Sequence, residues 1–268
     1  MFTSWLVAGA LQASQVLSQG TVSRSVRVMD FTALSTSTTV VFRYAPPLAG
    51  AAGEADILPE KTQIKIHAAF TNLAPASRLG PQYLTYVLWS VTPQGRFTNL
   101  GEVELLGSDG QLNTKIRSRR FGLIVTAEAY LAVSQPSKMV AFEADVAPES
   151  PRVPVSQTRC ELLSVPVGAE SVAPAAAKGP AGPLVLEEAR RAIAVARQAG
   201  AQEYAPDTLA IAEKLLQLAQ DQQAQGVRRK DVDDAGSEAV FIAEDARVLA
   251  VTRQKRARQA RTDADPSP

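Results

Sequence analysis

The stretch "YLTYVLWSV", residues 83 to 91, is apolar on both of its faces. Successive side chains of a β-strand point to opposite faces of the sheet. One face of this stretch carries Val87 and Trp89, and the other carries Leu84, Tyr86 and Leu88. A strand that is apolar on both faces is typical of the centre of a fold, with structure packed above and below it. The sequence therefore predicts a central, doubly covered strand.

The surrounding region, residues 21–146, alternates apolar and polar side chains in short runs. The clearest examples are "IKIHAAF" (64–70) and "MVAFEADV" (139–146), whose period of two is typical of half-buried antiparallel strands. Further candidate strands are "TTVVFRY", "RFTNLGEVELL", "QLNTKIRS" and "FGLIVTAEAY", with turns at "TPQG" and "GSDG". We predict roughly seven or eight strands that form an Ig-like two-layer antiparallel β-sandwich.

Residues 147–183 differ in composition from the region before them. They contain seven prolines, each of which fixes φ and removes a backbone donor. We interpret the segment as a Pro/Ala-rich linker. The run "TRCELLSVPV" (158–167) interrupts it and is predicted to be an edge strand of the sandwich.

From residue 184 onward the pattern is helical. The first helix is predicted to end at Gly200, the second to begin at Pro206 and end near Gly226, and the third to begin at Asp231. Each helix has an alanine-rich seam with alternating steps of three and four residues. The seams comprise Ala189, Ala192, Ala196 and Ala199; Leu209, Ala212, Leu216 and Ala219; and Ala235, Ala239, Ile242, Ala246 and Leu249.

Alanine in such a seam lets two helix backbones approach closely, whereas a membrane-surface helix needs bulkier apolar side chains. The loops between the helices are short, which favours antiparallel neighbours. We predict a C-terminal antiparallel three-helix bundle over residues 184–258 and a disordered tail over residues 259–268, with intermolecular coiled-coil association as the alternative. The fold class is therefore α+β in two domains.

The helical region resembles a known domain. "GAQEYAPDTLAIAEKLLQLAQ" (200–220), followed by "DAGSEAVFIAEDARVLA" (234–250), resembles the small bacterial helical domain of unknown function that often precedes an OmpA-like peptidoglycan-binding domain in envelope proteins. The resemblance covers residues 184–253. It implies helical hairpins similar to tetratricopeptide repeats, but not cell-wall binding, which belongs to the OmpA-like module.

The strand region has a looser resemblance. "YLTYVLWSVTPQGRFTNLGEVELLGSDG" and "FGLIVTAEAYLAVSQPSKMV" are similar to the extracytoplasmic sandwich domain of anti-sigma-K-type regulators. The matching positions are Tyr86, Trp89, Val125, Thr126 and Glu128. Such regulators also carry a sigma-binding domain and a membrane span, which were not identified here, so we expect only the sandwich fold to carry over.

Composition and charge argue against several kinds of function. The chain has 28 lysines and arginines against 27 acidic residues, so no overall field attracts nucleic acid or an anionic membrane. The single Cys160 excludes an intrachain disulfide, and with only one histidine, His67, the usual Cys/His zinc sites lack ligands. We therefore expect no metal, no cofactor and no nucleic-acid partner.

Residues 1–20 contain an apolar run from Trp5 to Leu11, followed by the small residues Ala13 and Ser14. No basic residue precedes the run, so we predict either a truncated or atypical signal peptide or an apolar N-terminal strand or helix. No other run approaches the length of a spanning helix. A signal peptide would place the mature protein in the periplasm or another extracytoplasmic space, in soluble form.

Most candidate site residues have a structural explanation. His67 lies on the polar face of its predicted strand, and we expect it to be solvated or hydrogen-bonded. We expect Cys160 to be an inert, partly buried thiol and not a reactive one. Glu102 and Glu104 share one side of a strand, and we expect a solvated face because nothing apolar there would raise either pKa.

An acidic run opens the predicted third helix. Asp231, Asp233 and Asp234 are interpreted as helix-terminal carboxylates, because the run lacks the glycine and distal glutamate of a calcium-binding loop.

Two basic clusters occur. "KIRSRR" (115–120) is predicted to place Lys115, Arg117 and Arg119 on one strand face, and with Arg120 they form the candidate partner-binding surface. "RQKRARQAR" (253–261) lies at the end of the last helix, where cations interact favourably with the helix dipole. Neither cluster has the aromatic residues that stack on nucleic-acid bases.

No GxSxG, phosphate-binding loop, dinucleotide fingerprint or HExxH motif occurs in the sequence, so we do not expect an enzyme. We expect an exported, non-catalytic structural or adaptor protein that binds an envelope protein or cell-wall component through the basic strand face or the outer faces of the helices. One alternative is an extracytoplasmic signalling or sensor module. Another is a small-molecule binder or hydrolase with a pocket near Trp89 or His67. The oligomeric state is left open.

Overall fold

A computed structural model describes residues 20–44, 48–147, 153–164, 167 and 182–264. The predicted signal segment up to residue 19, most of the predicted linker and the last four residues lie outside the described ranges. The architecture is α+β, as predicted, with a large antiparallel sheet followed by C-terminal helices.

Eleven strands are described: β1 (Thr21–Asp30), β2 (Thr38–Tyr44), β3 (Ala52–Pro59), β4 (Ile64–Thr71), β5 (Thr85–Val91), β6 (Phe97–Glu102), β7 (Glu104–Leu106), β8 (Asp109–Ile116), β9 (Arg120–Glu128), β10 (Val140–Val146) and β11 (Val155–Leu163). The helices are α1 (Leu184–Gln198), the short α2 (Ala201–Tyr204), α3 (Pro206–Ala224) and α4 (Arg229–Ala264).

All strands belong to one hydrogen-bonded sheet, in place of the two stacked sheets that we predicted. The order is β11-β1-β9-β10-β2-β3-β4-β8-β7, and β5 pairs with both β9 and β6. Strand β9 is the branch point of the sheet. Along one edge, its first two residues pair with β1 and its central residues pair with β10. On its other edge β9 pairs along its length with β5.

The sheet curls until its ends approach each other, so its shape is close to that of a barrel. The hydroxyl of Thr114 in β8 donates a 3.1 Å hydrogen bond to the backbone carbonyl of Leu100 in β6. Inside the curl, Ile64, Ile66 and Phe70 are buried, as their alternation predicts. The ring of Phe70 packs against those of Phe42 and Phe142, with both centroid separations at 5.0 Å.

Strand β5 is buried on both faces, which confirms the prediction from "YLTYVLWSV". Tyr86 and Leu88 belong to the core inside the curl. Val87 and Trp89 point the other way and belong to a second buried cluster, which includes residues of the helices. The helices therefore provide the second layer over this strand.

The helices start and stop close to the predicted positions. Gly200 and Gly226 adopt left-handed φ values of 85° and 70°, which glycine tolerates and which end the helical runs before them. Helix α4 begins at Arg229, two residues before the predicted start. It continues to Ala264, so residues 259–264 are helical where we predicted a disordered tail.

The alanine seams are mostly buried between helices. Ala192, Ala212, Ala239 and Ala246 have no exposed surface. Leu249 departs from the prediction, because it is exposed and Ala250 is buried in its place. The small seam lets α4 lie against both α1 and α3.

The sheet and the helices share one buried cluster, and each also has a cluster of its own. Trp89 and Ile124 of the sheet are in one cluster with Ala192 and Ala239 of the helices. The predicted edge strand at 158–167 overlaps β11, which runs from Val155 to Leu163 and pairs with β1 at the edge of the sheet.

Candidate functional site

Four glutamates lie where the helices meet the sheet. We call them the interface carboxylates: Glu102 at the end of β6, Glu128 at the end of β9, Glu188 in α1 and Glu244 in α4. Glu128 and Glu188 are completely buried and Glu244 is 5% exposed. Buried carboxylates require a partner or a proton, so the surroundings of each determine what it does.

Glu244 is fully compensated and links α4 to the chain after β9. Its carboxylate accepts hydrogen bonds from the Tyr130 hydroxyl at 2.8 Å and the Ser134 backbone N–H at 2.9 Å. The guanidinium of Arg247, one turn along α4, donates two further bonds of 2.7 Å. Burial alone would lower the pKa of Arg247, but its contact with Glu244 outweighs burial and raises it. This cluster holds the helices on the sheet.

Glu128 belongs to a buried hydrogen-bonded chain. The indole N–H of Trp89 donates to the Thr126 hydroxyl at 2.8 Å, and that hydroxyl in turn donates to Glu128. The backbone N–H of Ser137 also donates to Glu128, at 2.7 Å. Burial raises the pKa of Glu128 to about 8, and these hydrogen bonds oppose the rise only in part. The carboxyl is therefore largely protonated at neutral pH.

Glu102 of the sheet and Glu188 of α1 interact through their charges. Glu102 is half-buried, and its carboxylate accepts a hydrogen bond from the Thr85 hydroxyl. Neither carboxylate oxygen of Glu188 has a hydrogen bond. Burial, followed by the nearby charge of Glu102, raises the pKa of Glu188 well above its ordinary range, and the Leu131 backbone amide opposes the rise without forming a hydrogen bond of ordinary geometry.

The groups around this pair add negative charge. Burial raises the pKa of Glu102, and the carboxylates of Glu104 and Asp233 raise it further against the Thr85 hydrogen bond. Arg191 lies in α1, but its guanidinium donates to the backbone carbonyls of Pro81 and Gln82, at 3.2 and 3.0 Å. Among the described residues, no lysine or arginine forms an ion pair with Glu102 or Glu188.

The prediction that Glu102 and Glu104 share a solvated face is wrong for Glu102. Val103 separates β6 from β7, and the two glutamates have different environments. Glu104 is exposed, whereas Glu102 faces α1. The apolar cover comes from helices about eighty residues away in sequence, so it could not be seen in the strand pattern.

The sequence analysis did not identify Glu128, Glu188 or Glu244 as site residues, and it named Glu128 only as a position of family resemblance. The spacing of Glu188 provided a signal, because it lies three residues after Val185 and four before Ala192, on the buried side of α1. A charged residue at a seam position indicates a buried ionisable group. No comparable signal exists for Glu128, since strand β9 is buried on both faces.

The predicted basic surface is only partly as expected. Strand β8 ends at Ile116, so Arg117 and Arg119 lie in the turn before β9 and do not share a strand face with Lys115. Arg119 donates a 2.6 Å hydrogen bond to the backbone carbonyl of Glu60. Arg120 is paired with Asp30 at 3.1 Å. Two of the four candidate residues are thus engaged within the molecule.

His67 and Cys160 agree with their structural interpretations. His67 lies on the exposed face of β4. Cys160 is 2% exposed, and its thiol donates to the Arg24 carbonyl at 3.3 Å. Burial raises the pKa of Cys160 to about 11, so the thiolate is scarce at neutral pH and the thiol is inert.

The acidic run near the start of α4 is paired with the basic residues just before it. Arg228 contacts Asp231 at 3.0 Å, Arg229 contacts Asp233 at 3.3 Å, and Lys230 pairs with Asp234. The described residues contain no group of three or more His, Cys, Asp or Glu side chains arranged to hold a metal ion.

The outer surfaces of α3 and α4 carry exposed apolar side chains. We call these the helical apolar face: Ile211, Leu218, Phe241, Val248, Leu249 and Val251, each between 37% and 54% exposed. The first two are seven residues apart on α3, and Phe241 and Val248 are seven apart on α4, so each pair lies along one side of its helix. Each helix therefore carries an exposed apolar strip, and strips of this kind are candidate interaction surfaces.

Helix α4 continues beyond the helices that it packs against. Arg253 donates a 2.6 Å hydrogen bond to the Tyr204 carbonyl in α2. We call residues 255–264 the basic extension, which is about 15 Å long at 1.5 Å per residue. It carries Lys255, Arg256, Arg258 and Arg261, all exposed. In the described residues, the hydrogen bonds of this segment are made within α4.

An open groove lies across β2, β3 and β4, lined in part by Arg43, Tyr44 and Glu54. None of the interface carboxylates lines it. Trp89, near which one alternative function required a pocket, is completely buried. No protein-family model, curated protein or solved structure matches this chain. No helix in the described ranges is long and apolar enough to cross a lipid bilayer.

Proposed function

We propose that this protein is a non-catalytic adaptor of the bacterial cell envelope, located in the periplasm, which binds an acidic envelope protein through α4. The contact surface consists of the basic extension and the adjoining part of the helical apolar face. The envelope assignment rests on the resemblance of residues 184–253 to a helical domain of envelope proteins. The basic extension is the observation that supports binding.

The helix dipole stabilises cations at the end of α4, but the basic extension carries four of them against the single acidic Asp263. Short helical segments without tertiary contacts are marginally stable in water, and like charges three or four residues apart destabilise them further. Arg258 and Arg261 are three residues apart and have no ion pair among the described residues. Carboxylates of a partner would remove this repulsion and stabilise the helix.

The chemistry next to the basic extension fits the same partner. Val248, Leu249 and Val251 are exposed immediately before it on α4. Protein interfaces combine an apolar centre with a charged rim. A partner segment with apolar anchors flanked by Asp or Glu would match this order of groups along α4.

The middle of α4 is fixed by hydrogen bonds, which a preorganised binding surface requires. Glu244, Arg247, Tyr130 and Ser134 form the hydrogen-bonded cluster described above. This cluster fixes the middle of α4 on the sheet, so a partner would meet a preorganised surface.

The test compares charge reversal in the basic extension with charge reversal elsewhere. The full-length chain and the variant Arg256→Glu/Arg258→Glu would be incubated with solubilised envelope fractions, and bound proteins identified at low and high salt. We expect about tenfold lower recovery of a specific acidic protein by the variant, and weaker capture at high salt. Equal recovery by both proteins, or capture that salt does not affect, would contradict the proposal.

A matched control is Lys61→Glu/Arg96→Glu, which makes the same change in net charge at two exposed cations of the sheet. This control should capture the partner as the unmodified chain does. A photoreactive residue at position 257 should crosslink to the same protein, while one at exposed position 61 should not.

A further inference from the structure

We propose that Glu188 of α1, with the half-buried Glu102 of β6 as a neighbouring charge, is a buried proton-binding site, and that the proton held there keeps α1 packed on the sheet. Loss of the proton would release the helices, so the pair would act as a pH-sensitive latch. The inference does not depend on the proposed function.

The two carboxylates come from opposite sides of one interface. Glu102 ends strand β6, and Glu188 lies near the start of α1. Glu188 is on the buried side of α1, and Ala189 and Ala192 on that side share a cluster with Trp89 of the sheet. A charge on Glu188 therefore penalises the packing of α1.

Glu188 has no means of carrying a negative charge in its present position. It is completely buried, and neither oxygen has a hydrogen bond. Its neighbours along the buried side of α1 are Val185, Ala189 and Ala192. An isolated carboxylate in such surroundings is too costly to persist, so the packed state holds Glu188 in its neutral form.

The charged groups that face the pair do not provide compensation. Glu104 from β7 and Asp233 from α4 add negative charge near Glu102. Arg191 in α1 is committed to two backbone carbonyls, and Arg229 is paired with Asp233. The polar contacts of the pair are the Thr85 hydroxyl on Glu102 and the Leu131 amide near Glu188.

The pH dependence has a definite sign. Because the packed state raises the pKa of both carboxyls, it binds a proton more tightly than the released state does. The stabilisation is complete below the ordinary glutamate pKa and is lost as pH rises through the pKa of the packed state. One proton changes the equilibrium by at most about tenfold per pH unit.

Movement of α1 would affect the rest of the helical layer. A β-carbon on Gly236 of α4 would lie 2.9 Å from the methyl groups of Val185, so α1 and α4 are in close backbone contact. Ala189 and Ala192 share one buried cluster with Trp89 of the sheet. Release of α1 therefore exposes the apolar face of β5.

The test is hydrogen–deuterium exchange of the full-length chain between pH 5 and pH 9, corrected for the intrinsic pH dependence of exchange. We expect the protection of α1 amides in the unmodified chain to fall by at least about tenfold more across this range than the protection of β4 amides, which follow the stability of the whole fold. Glu188→Met replaces the carboxyl by an apolar side chain of similar length and should remove this extra loss, so that α1 follows β4. Glu102→Gln provides a second variant that removes one carboxyl while leaving α1 unchanged.

Two controls separate the latch from other titrations. Glu187→Gln alters the exposed neighbour, which pairs with Arg190, and should follow the unmodified profile. Glu128→Gln removes the other buried carboxyl with a raised pKa, and the extra loss of protection in α1 relative to β4 should persist. The proposal is overturned if α1 and β4 lose protection equally with pH in the unmodified chain, if Glu188→Met and Glu102→Gln both keep the extra loss in α1, or if Glu128→Gln alone abolishes it.

Discussion

The hydroxyl of Tyr130 donates a 2.8 Å hydrogen bond to the carboxylate of Glu244, although the two residues are 114 positions apart. Tyr130 lies two residues after the end of β9, and Glu244 lies in the middle of α4. Both are buried. The bond therefore links α4 to the segment that follows β9, the strand that pairs with β1, β10 and β5.

We expect Tyr130→Phe to lower the free energy of unfolding by about 1–2 kcal/mol, because one buried hydrogen bond is lost while Glu244 keeps Arg247 and Ser134 as partners. Urea denaturation followed by circular dichroism would measure the change. The matched control is Tyr44→Phe, at an exposed tyrosine of β2, which should change stability by less than about 0.5 kcal/mol. Equal effects of the two substitutions would contradict a role for the Tyr130 bond.

Removal of Arg247 should have a larger effect. Arg247→Met leaves Glu244 buried without its counter-ion, which typically costs about 3–5 kcal/mol. The double variant Glu244→Gln/Arg247→Met removes both charges and should be less destabilised than Arg247→Met alone. Denaturant unfolding of the two single variants and the double variant completes a double-mutant cycle. Additive losses would show that the two charges do not interact.

Periodicity predicted the strands with regular alternation, but not every strand. "AGEADILP" (52–59) was not among the predicted strands, because glycine, alanine and proline have low strand propensity. It is nevertheless strand β3, paired along its length with both β2 and β4. Its neighbours supply the stabilisation that its own residues lack.

The candidate site was harder to predict than the fold, because its chemistry depends on contacts between distant segments. Strand "RFTNLGEVELL" suggests that Glu102 and Glu104 are equivalent, and only the position of α1 makes them different. The alanine seams did predict close helix packing. They could not show that the same helices also cover Trp89.

The alanine seam should be intolerant of larger side chains. Ala212 in α3 is completely buried, while Ala210 is exposed on the same helix. We expect Ala212→Leu to destabilise the fold by about 1–3 kcal/mol through overpacking, and Ala210→Leu to change stability by less than about 0.5 kcal/mol. Thermal unfolding of the two variants gives the comparison. Similar melting temperatures would mean that α3 is not packed closely at Ala212.

The Cys160 thiol should be unreactive in the folded protein. It is a buried residue of β11, paired with Arg24 of β1, and burial raises its pKa to about 11. At pH 8 we expect modification by a thiol reagent to be at least about a hundredfold slower than in urea, because the thiolate fraction falls about tenfold per pKa unit and access is blocked. Stopped-flow absorbance with a disulfide reagent measures both rates. Comparable rates would place the thiol at an accessible site.

Glu128 makes the stability of the whole protein depend on pH. Its pKa is about 8 in the folded state against 4.5 ordinarily, so the folded state binds more protons than the unfolded state between these values. The contribution of this group is complete below about pH 4.5 and is lost as pH rises to about 8, at up to about 1.4 kcal/mol per pH unit. We expect Glu128→Gln to remove that slope from urea midpoints measured between pH 5 and pH 8. Glu161→Gln, at an exposed position of β11, should keep it. An unchanged slope in Glu128→Gln would mean that this carboxyl is ionised in the folded protein, with its charge balanced by the donors of Thr126 and Ser137.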